Sequence, residues 1–342
     1  MWHTRITDEY ELEFPFVSAG MGFIAMPELV AAVSNAGGLG LLGVPPAPAQ
    51  GMLQMIQAIR SMTSKPFGVD LIIADTAFGP STTDDHIEVC VAEKIKVVVF
   101  FWNIPPADWV ERLHSSGAKV WVQVGSVEHA RQAVSAGADA IIAQGGEAGG
   151  HNHTTVALSS LVPTVADAVA PIPVIAAGGI ADGRTVAAAL ALGADAVCVG
   201  TRLIASREAY AHDEYKKRVV AATADNITRT HIFGPEWPSE PMRVIRNRVV
   251  SEWAGRDDKT PPAPDPPQFI GRTLLGGQEY PMPKFSAALP TPDTSGDFEE
   301  MCLAAGESAG LVKEIKPAGE IIREMMDEAS RVINERLAEL KS

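Results

Sequence analysis

A chain of 342 residues with 46% hydrophobic content is long enough for one large or two ordinary domains and has ample apolar surface for a core. Its 28 basic against 42 acidic residues leave a net charge of −14, which argues against general affinity for nucleic acid or anionic lipid. Three cysteines, Cys90, Cys198 and Cys302, stand far apart with no C-x-x-C spacing; neither a disulfide framework nor a zinc site is indicated, and a reducing compartment is expected.

Residues 1–13 mix charges with polar groups and lack the apolar core of a secretory signal, and Pro or Gly interrupts every long apolar run. The expectation is a soluble, cytoplasmic protein without membrane association. From there the chain alternates short apolar strands with helix-length segments. Strands are predicted at Phe16–Met21, Leu39–Val44, Phe67–Ile73, Val97–Trp102, Val120–Val124, Ala138–Ala143, Val174–Ala177 and Ala196–Gly200. Helical patterns lie between them, among them Pro27–Ala36, Val127–Ala136 and Arg184–Leu192, several closing on glycine. Near-continuous apolar strands belong to parallel sheets covered on both faces. Eight such units predict an α/β fold, a (β/α)8 TIM barrel with catalytic groups on the loops at the C-terminal strand ends. A doubly wound open sheet is the alternative, disfavoured because its phosphate loop follows the first strand whereas here such loops come late.

The sixth strand empties into Gln144-Gly145-Gly146-Glu147-Ala148-Gly149-Gly150-His151. Glycines allow φ > 0 and bring backbone N–H donors close to a bound group. His151 titrates near neutrality, so it can take or give a proton; a glycine-rich turn with a solvated histidine is the plain alternative. Gly178-Gly179 follow the seventh strand and Gly200-Thr201-Arg202 the eighth. Barrels bind phosphate at these two places, through backbone N–H groups and a helix N-terminus. His153 has no carboxylate cluster near it in sequence, so no metal site is expected.

Elsewhere the readings are structural. Trp102 and Trp121 read as packing residues, the cysteines as small core residues, and His86, His114 and His129 as surface groups. Asn152-His153-Thr154 matches a glycosylation pattern by chance. The stretch from Ile227 to Phe298 has no βα rhythm and contains Pro235, Pro238, Pro241, Pro261, Pro262, Pro264, Pro266 and Pro267, which reads as a cap or lid. Within it, the arginine-rich Met242–Val249 reads as a solvated helix face, or else as guanidinium groups closing over a substrate or a partner subunit. Residues 317–340 carry Ile321, Ile322, Met325, Met326, Ala329, Val332, Ile333 and Leu337 as one helical stripe. The expected division is a barrel over 1–225, a Pro-rich insertion over 226–300 and a C-terminal segment with a helix over 301–342.

Gln144–His151, Ala177–Gly183, Gly200-Thr201-Arg202 and Gly306–Leu311, with Ser18-Ala19-Gly20-Met21 and Ala31–Leu42, resemble the signature segments of nitronate monooxygenases, formerly called 2-nitropropane dioxygenases. These are FMN-dependent barrels in a superfamily that also includes enoyl-ACP reductases and NADH:quinone reductases. The resemblance implies that Ala19, Gly20 and Met21 line the flavin ring, that Gln123 and the loop from Gln144 face it, and that Gly149 and Gly150 lie beside it. It implies phosphate binding by Gly178, Gly179, Gly200 and Thr201, and a catalytic His151 that takes the α-proton of a nitroalkane or binds the nitronate. Asp70 stands where the family usually has an Asn on the flavin; an ionised carboxylate only accepts hydrogen bonds, so Asp70 is either protonated in the site or turned to a helix N-cap or a neighbouring base.

The activity so implied is FMN-dependent oxidation of alkyl nitronates, or of nitroalkanes, by dioxygen to a carbonyl compound and nitrite. An NAD(P)H-dependent FMN reductase of quinones or enoyl thioesters and a non-catalytic flavin-binding protein are the alternatives. The expected partners are a small-molecule substrate and dioxygen, without nucleic acid or membrane, with a homodimer left open.

Overall fold

Eight of the apolar stretches form parallel strands, because side chains rich in Val, Ile and Ala can be covered on both faces of a sheet. The computed structural model describes residues 2–45, 47–76, 79–234, 236–237, 240–275 and 277–340; Pro235 and Pro238 lie outside the described residues. The strands are β1 (Phe16–Ser18), β2 (Gly40–Gly43), β3 (Phe67–Ile72), β4 (Val97–Phe101), β5 (Lys119–Val124), β6 (Ala140–Gln144), β7 (Val174–Ala177) and β8 (Ala196–Val199). Their spatial order is β1-β8-β7-β6-β5-β4-β3-β2. The ring closes where Val17 pairs with Leu39 and the Ser18 N–H donates to the Leu39 carbonyl at 3.0 Å. This is the (β/α)8 barrel, not the open sheet.

Helices Pro27–Asn35, Val127–Ser135 and Gly183–Ala191 fall where the periodicity puts them. The first strand is shorter than expected, because Ala19, Gly20 and Met21 leave the sheet to turn over the barrel mouth. Inside the barrel, Val17, Leu41, Val99, Trp121, Ile142, Ile175 and Cys198 pack as one core. The opposite faces of the same strands pack against the helices. Helix Arg5–Tyr10 closes the far end: buried Ile6 joins the inner core, the Trp121 indole donates to the Tyr10 hydroxyl at 3.1 Å, and Arg5 grips both oxygens of Asp195.

The segment after the barrel has its own small core of Ile232, Phe233, Val244, Val250 and Phe285. Strands Ile227–Thr230 and Met242–Ile245 pair antiparallel, and Phe269–Leu275 pairs with Gln278–Pro283. The expected solvated helix at Met242–Val249 is therefore corrected to a strand leading into helix Arg248–Trp253. Met242 and Val244 are buried on either side of a half-buried Arg243, a period of two rather than 3.6. His86 is also corrected: it is buried, with Nδ1 against Thr83 and Nε2 3.0 Å from the Ala47 carbonyl, as part of the cap of helix Asp84–Ala92.

Helix Ala318–Arg331 buries Ile321, Ile322, Met325, Met326 and Ala329 against helices Gly183–Ala191 and Pro27–Asn35. The expected stripe ends there, since Ile333 and Leu337 are exposed. Among the described residues no helix is long and apolar enough to cross a membrane.

Candidate active site

The C-terminal ends of the strands converge on a cavity of about 1310 Å³, its open mouth included. Ala19, Gly20 and Met21 after β1, Asp70 in β3, Gln123 in β5 and Gln144 in β6 line it, together with Gly149, Gly150 and His151 from the loop that follows. Gly178 and Gly179 after β7 and Gly200 and Thr201 after β8 complete the wall. The thirteen residues just named thus line one space, Arg202 and His153 do not, and among the described residues no Lys or Arg lines it.

One side of that space is built from backbone. Gly178 and Gly179 have φ of +98° and +72°, and a Cβ on Gly178 would meet that of Ala148 at 2.9 Å, so glycine is required there. Gly200 caps the short helix Thr201–Ile204. The Thr201 hydroxyl accepts the Gly306 N–H at 2.9 Å, which leaves its own proton to donate into the cavity. The segment Gly306–Leu311 thereby returns to the barrel mouth, with Ser308 on the cavity wall and the Glu307 N–H on the Glu147 carbonyl at 3.0 Å. A Cβ on Gly149 would lie 2.4 Å from the Gly306 nitrogen, so these two segments meet backbone to backbone.

The glycine loop is held from behind by a side chain that sequence reasoning set aside. Asn152 is buried, and its amide donates to the carbonyls of Gly145, Gly146 and Ala148 at 3.0–3.2 Å. Arg243 donates from Nε to the Gly146 carbonyl at 2.8 Å and pairs with Glu307. Gly150–His151 joins the insertion as a third strand, opposite Met242–Arg243. No local pattern announces these roles, because each depends on segments that meet only in the folded chain.

His151 sits with its Nε2 buried and unpartnered. The ring of Trp102 lies 4.6 Å away and that of Trp237 5.7 Å, centroid to centroid. Burial, with His153 nearby, pushes its pKa down to about 3, so the imidazole is neutral at physiological pH. Asp70 is buried with Oδ1 unpartnered, and burial raises its pKa to about 8. It therefore lies in the cavity, on β3, and among the described residues no Lys or Arg lines the space with it. Only three buried side-chain polar atoms lack a partner among the described residues, and two of them belong to Asp70 and His151.

Trp102, expected as plain packing, is part of this corner. Its φ of +86° is a strained conformation for a bulky residue. Its indole N–H donates to Glu240 at 3.2 Å and also meets His153, whose Nε2 lies 2.6 Å from the same carboxylate. Trp121 packs inside the barrel, and the three cysteines are buried and free. Among the described residues no group of three or more metal-binding side chains converges.

Fold and site define a barrel enzyme with its ligand chamber at the C-terminal strand ends, lined by backbone amides, one buried acid and one neutral imidazole. The nitronate monooxygenase family model matches residues 3–328, and the chain belongs to that family, whose members are oxidoreductases. It is 34% identical to the (3aS,4S,5R,7aS)-5-hydroxy-7a-methyl-1-oxo-octahydro-1H-indene-4-carboxyl-CoA dehydrogenase of Mycobacterium tuberculosis, over 95% of this chain and 96% of that protein. Among solved structures, FabK from Thermotoga maritima is similar at 33% identity and a TM-score of 0.78, over 99% of both chains. The nitroalkane oxidase of Streptomyces ansochromogenes is 28% identical, with a TM-score of 0.78 over 96% of this chain and 98% of that one.

Proposed function

We propose that this protein binds FMN in the barrel-mouth cavity and oxidises alkyl nitronates with dioxygen, releasing a carbonyl compound and nitrite. The observation that carries the proposal is the pair of orphaned buried atoms, Asp70 Oδ1 and His151 Nε2, on two side chains that line one cavity. Leaving a buried polar atom unpaired costs about 1–3 kcal/mol, a cost that a bound polar ligand removes. The residues present fit a flavin mononucleotide. Backbone N–H groups at Gly178, Gly179 and Gly200, with the Thr201 hydroxyl, suit a phosphate without any cation. Ala19, Gly20, Met21, Gly149 and Gly150 offer a thin, largely apolar wall to a planar ring, and Gln123, Gln144 and Asp70 offer polar edges.

The flavin supplies the electron acceptor when bound; the protein supplies binding, orientation and proton handling. A histidine with a pKa of about 3 is poorly matched to removing a carbon-bound proton near neutral pH. A nitronate that arrives already ionised asks less of it. Neutral His151 then donates one ring N–H to a nitro oxygen, and the substrate's charge in turn favours the imidazolium. Trp102 and Trp237 pack their rings against the imidazole and hold its orientation. On this reading residues 1–225 carry the cofactor, 226–300 act as the lid, and 301–342 bring Gly306–Leu311 back to the phosphate.

One observation favours a second reading. The relative that is 34% identical along nearly the whole chain is named as a CoA-ester dehydrogenase, and FabK is similar over its full length. A flavin-dependent exchange of electrons between NAD(P)H and a quinone or an enoyl or related thioester is the reaction class this suggests. Anaerobic mixing of the FMN-loaded protein with each donor decides. The nitronate reading expects loss of flavin absorbance on addition of alkyl nitronate; bleaching by NADH or NADPH but not by nitronate rejects it. If neither donor reduces the flavin, binding without catalysis is the better account.

A further inference from the structure

Asp70 occupies a position where a carboxylate is hard to explain and a carboxylic acid is not. It stands on β3 as a lining residue of the cavity, buried, with Oδ1 unpartnered. Opposite it the chain has Gly20, where a Cβ would fall 2.3 Å from both the Cβ and Oδ2 of Asp70. The β1 turn is thus kept bare so that the acid can stand against it. An ionised carboxyl in such a place needs a cation or several donors, and among the described residues neither is found at Oδ1. The ionisable groups facing the same cavity are Cys198 from β8, Tyr215 from helix Asp213–Ala221 and His151. Burial holds the thiol and the phenol protonated, and His151 is neutral. Among the described residues, no ionisable group in the wall carries a positive charge to balance one on Asp70.

We propose that Asp70 works as a neutral carboxylic acid whose O–H donates a hydrogen bond to an acceptor edge of the bound flavin, so that it positions the cofactor only while protonated. The assignment rests on the flavin reading above and adds to it a polarity and a pH limit. A protonated acid offers one donor beside an acceptor, and an amide also places donors beside an acceptor on the same planar group, so Asp70→Asn can replace it at any pH. The ionised form offers only acceptors and repels an electron-rich edge.

The test is the FMN dissociation constant, read by quenching of flavin fluorescence from pH 6.5 to 9.5, for wild type, Asp70→Asn and Asp70→Ala. With the free acid titrating at about 8, wild-type affinity should weaken about tenfold between pH 7 and pH 9, as the competent fraction falls. Asp70→Asn should bind like wild type at pH 7 and lose this dependence. Asp70→Ala should bind more weakly at pH 7 and share the flat profile. Because every variant meets the same flavin with its own titrations, the difference between profiles isolates Asp70. A wild type and an Asp70→Asn with the same pH profile overturn the assignment alone. A wild type that takes up no FMN at any pH overturns the flavin reading and the assignment with it.

Discussion

At His151 the fold takes a side chain that would titrate near neutrality and keeps it neutral by burial beside the paired rings of Trp102 and Trp237. The residue lines the ligand space, and its buried Nε2 has no hydrogen-bond partner. The donors suited to a phosphate are backbone groups elsewhere, so the imidazole can be changed without dismantling them. His151→Ala, which removes the ring N–H donor, is expected to retain FMN and to lose about two to three orders of magnitude in turnover. Retained flavin with unchanged turnover would reduce the histidine to a packing residue. The histidine was legible in sequence because it ends a glycine run after an apolar strand. Trp102 was not, since only the left-handed turn at the end of β4 swings its ring onto His151.

Elements with a clear period were legible too. The strands read as apolar runs and the helices as amphipathic ones, and both hold in the barrel because each strand is covered within and without. Met242–Ile245 was misread, because a four-residue strand beside two prolines and three arginines carries too short a pattern to separate a period of 2 from one of 3.6. What defines it as a strand is its pairing with Ile227–Thr230 and Gly150–His151. The C-terminal helix has a comparable dependence. It crosses Gly183 so closely that a Cβ there would stand 2.4 Å from the Ala329 nitrogen, and Glu328 accepts the Gly183 N–H at 2.7 Å. Gly183→Ala should push helix Ala318–Arg331 off its seat and lower stability by about 1–3 kcal/mol. An unchanged melting temperature would mean that the helix shifts to accommodate the methyl without cost.

At the scale of the whole molecule, the buried acid and imidazole of the cavity set opposing pH dependences. His151 binds a proton in the unfolded chain below about 6.5 but in the fold only near 3. Stability from this group is therefore lost as pH falls from 6.5 toward 3. Asp70 ionises near 3.8 when unfolded and near 8 when folded, so its burial favours folding in acid and that advantage is lost as pH rises from 3.8 toward 8. Between about 4 and 6.5 the two slopes cancel; between 6.5 and 8 Asp70 acts alone, at no more than about 1.4 kcal/mol per pH unit. Flavin-free wild type should accordingly lose urea resistance from pH 6.5 to 8, and Asp70→Asn should lose less. Equal losses in the two proteins would show that Asp70 ionises in the fold as easily as in the unfolded chain.

The sequence by itself determined the eight-unit barrel, the late glycine loops and the histidine at the sixth strand's end, because periodicity, glycine and imidazole act over a few neighbouring residues. Only the tertiary structure decided that Asp70 and His151 face one cavity as neutral, unpartnered groups. It also decided that Asn152 holds the loop and that the insertion adds a strand to it. Burial, desolvation and close backbone approach are properties of segments far apart in the chain, and they exist only once those segments are packed together.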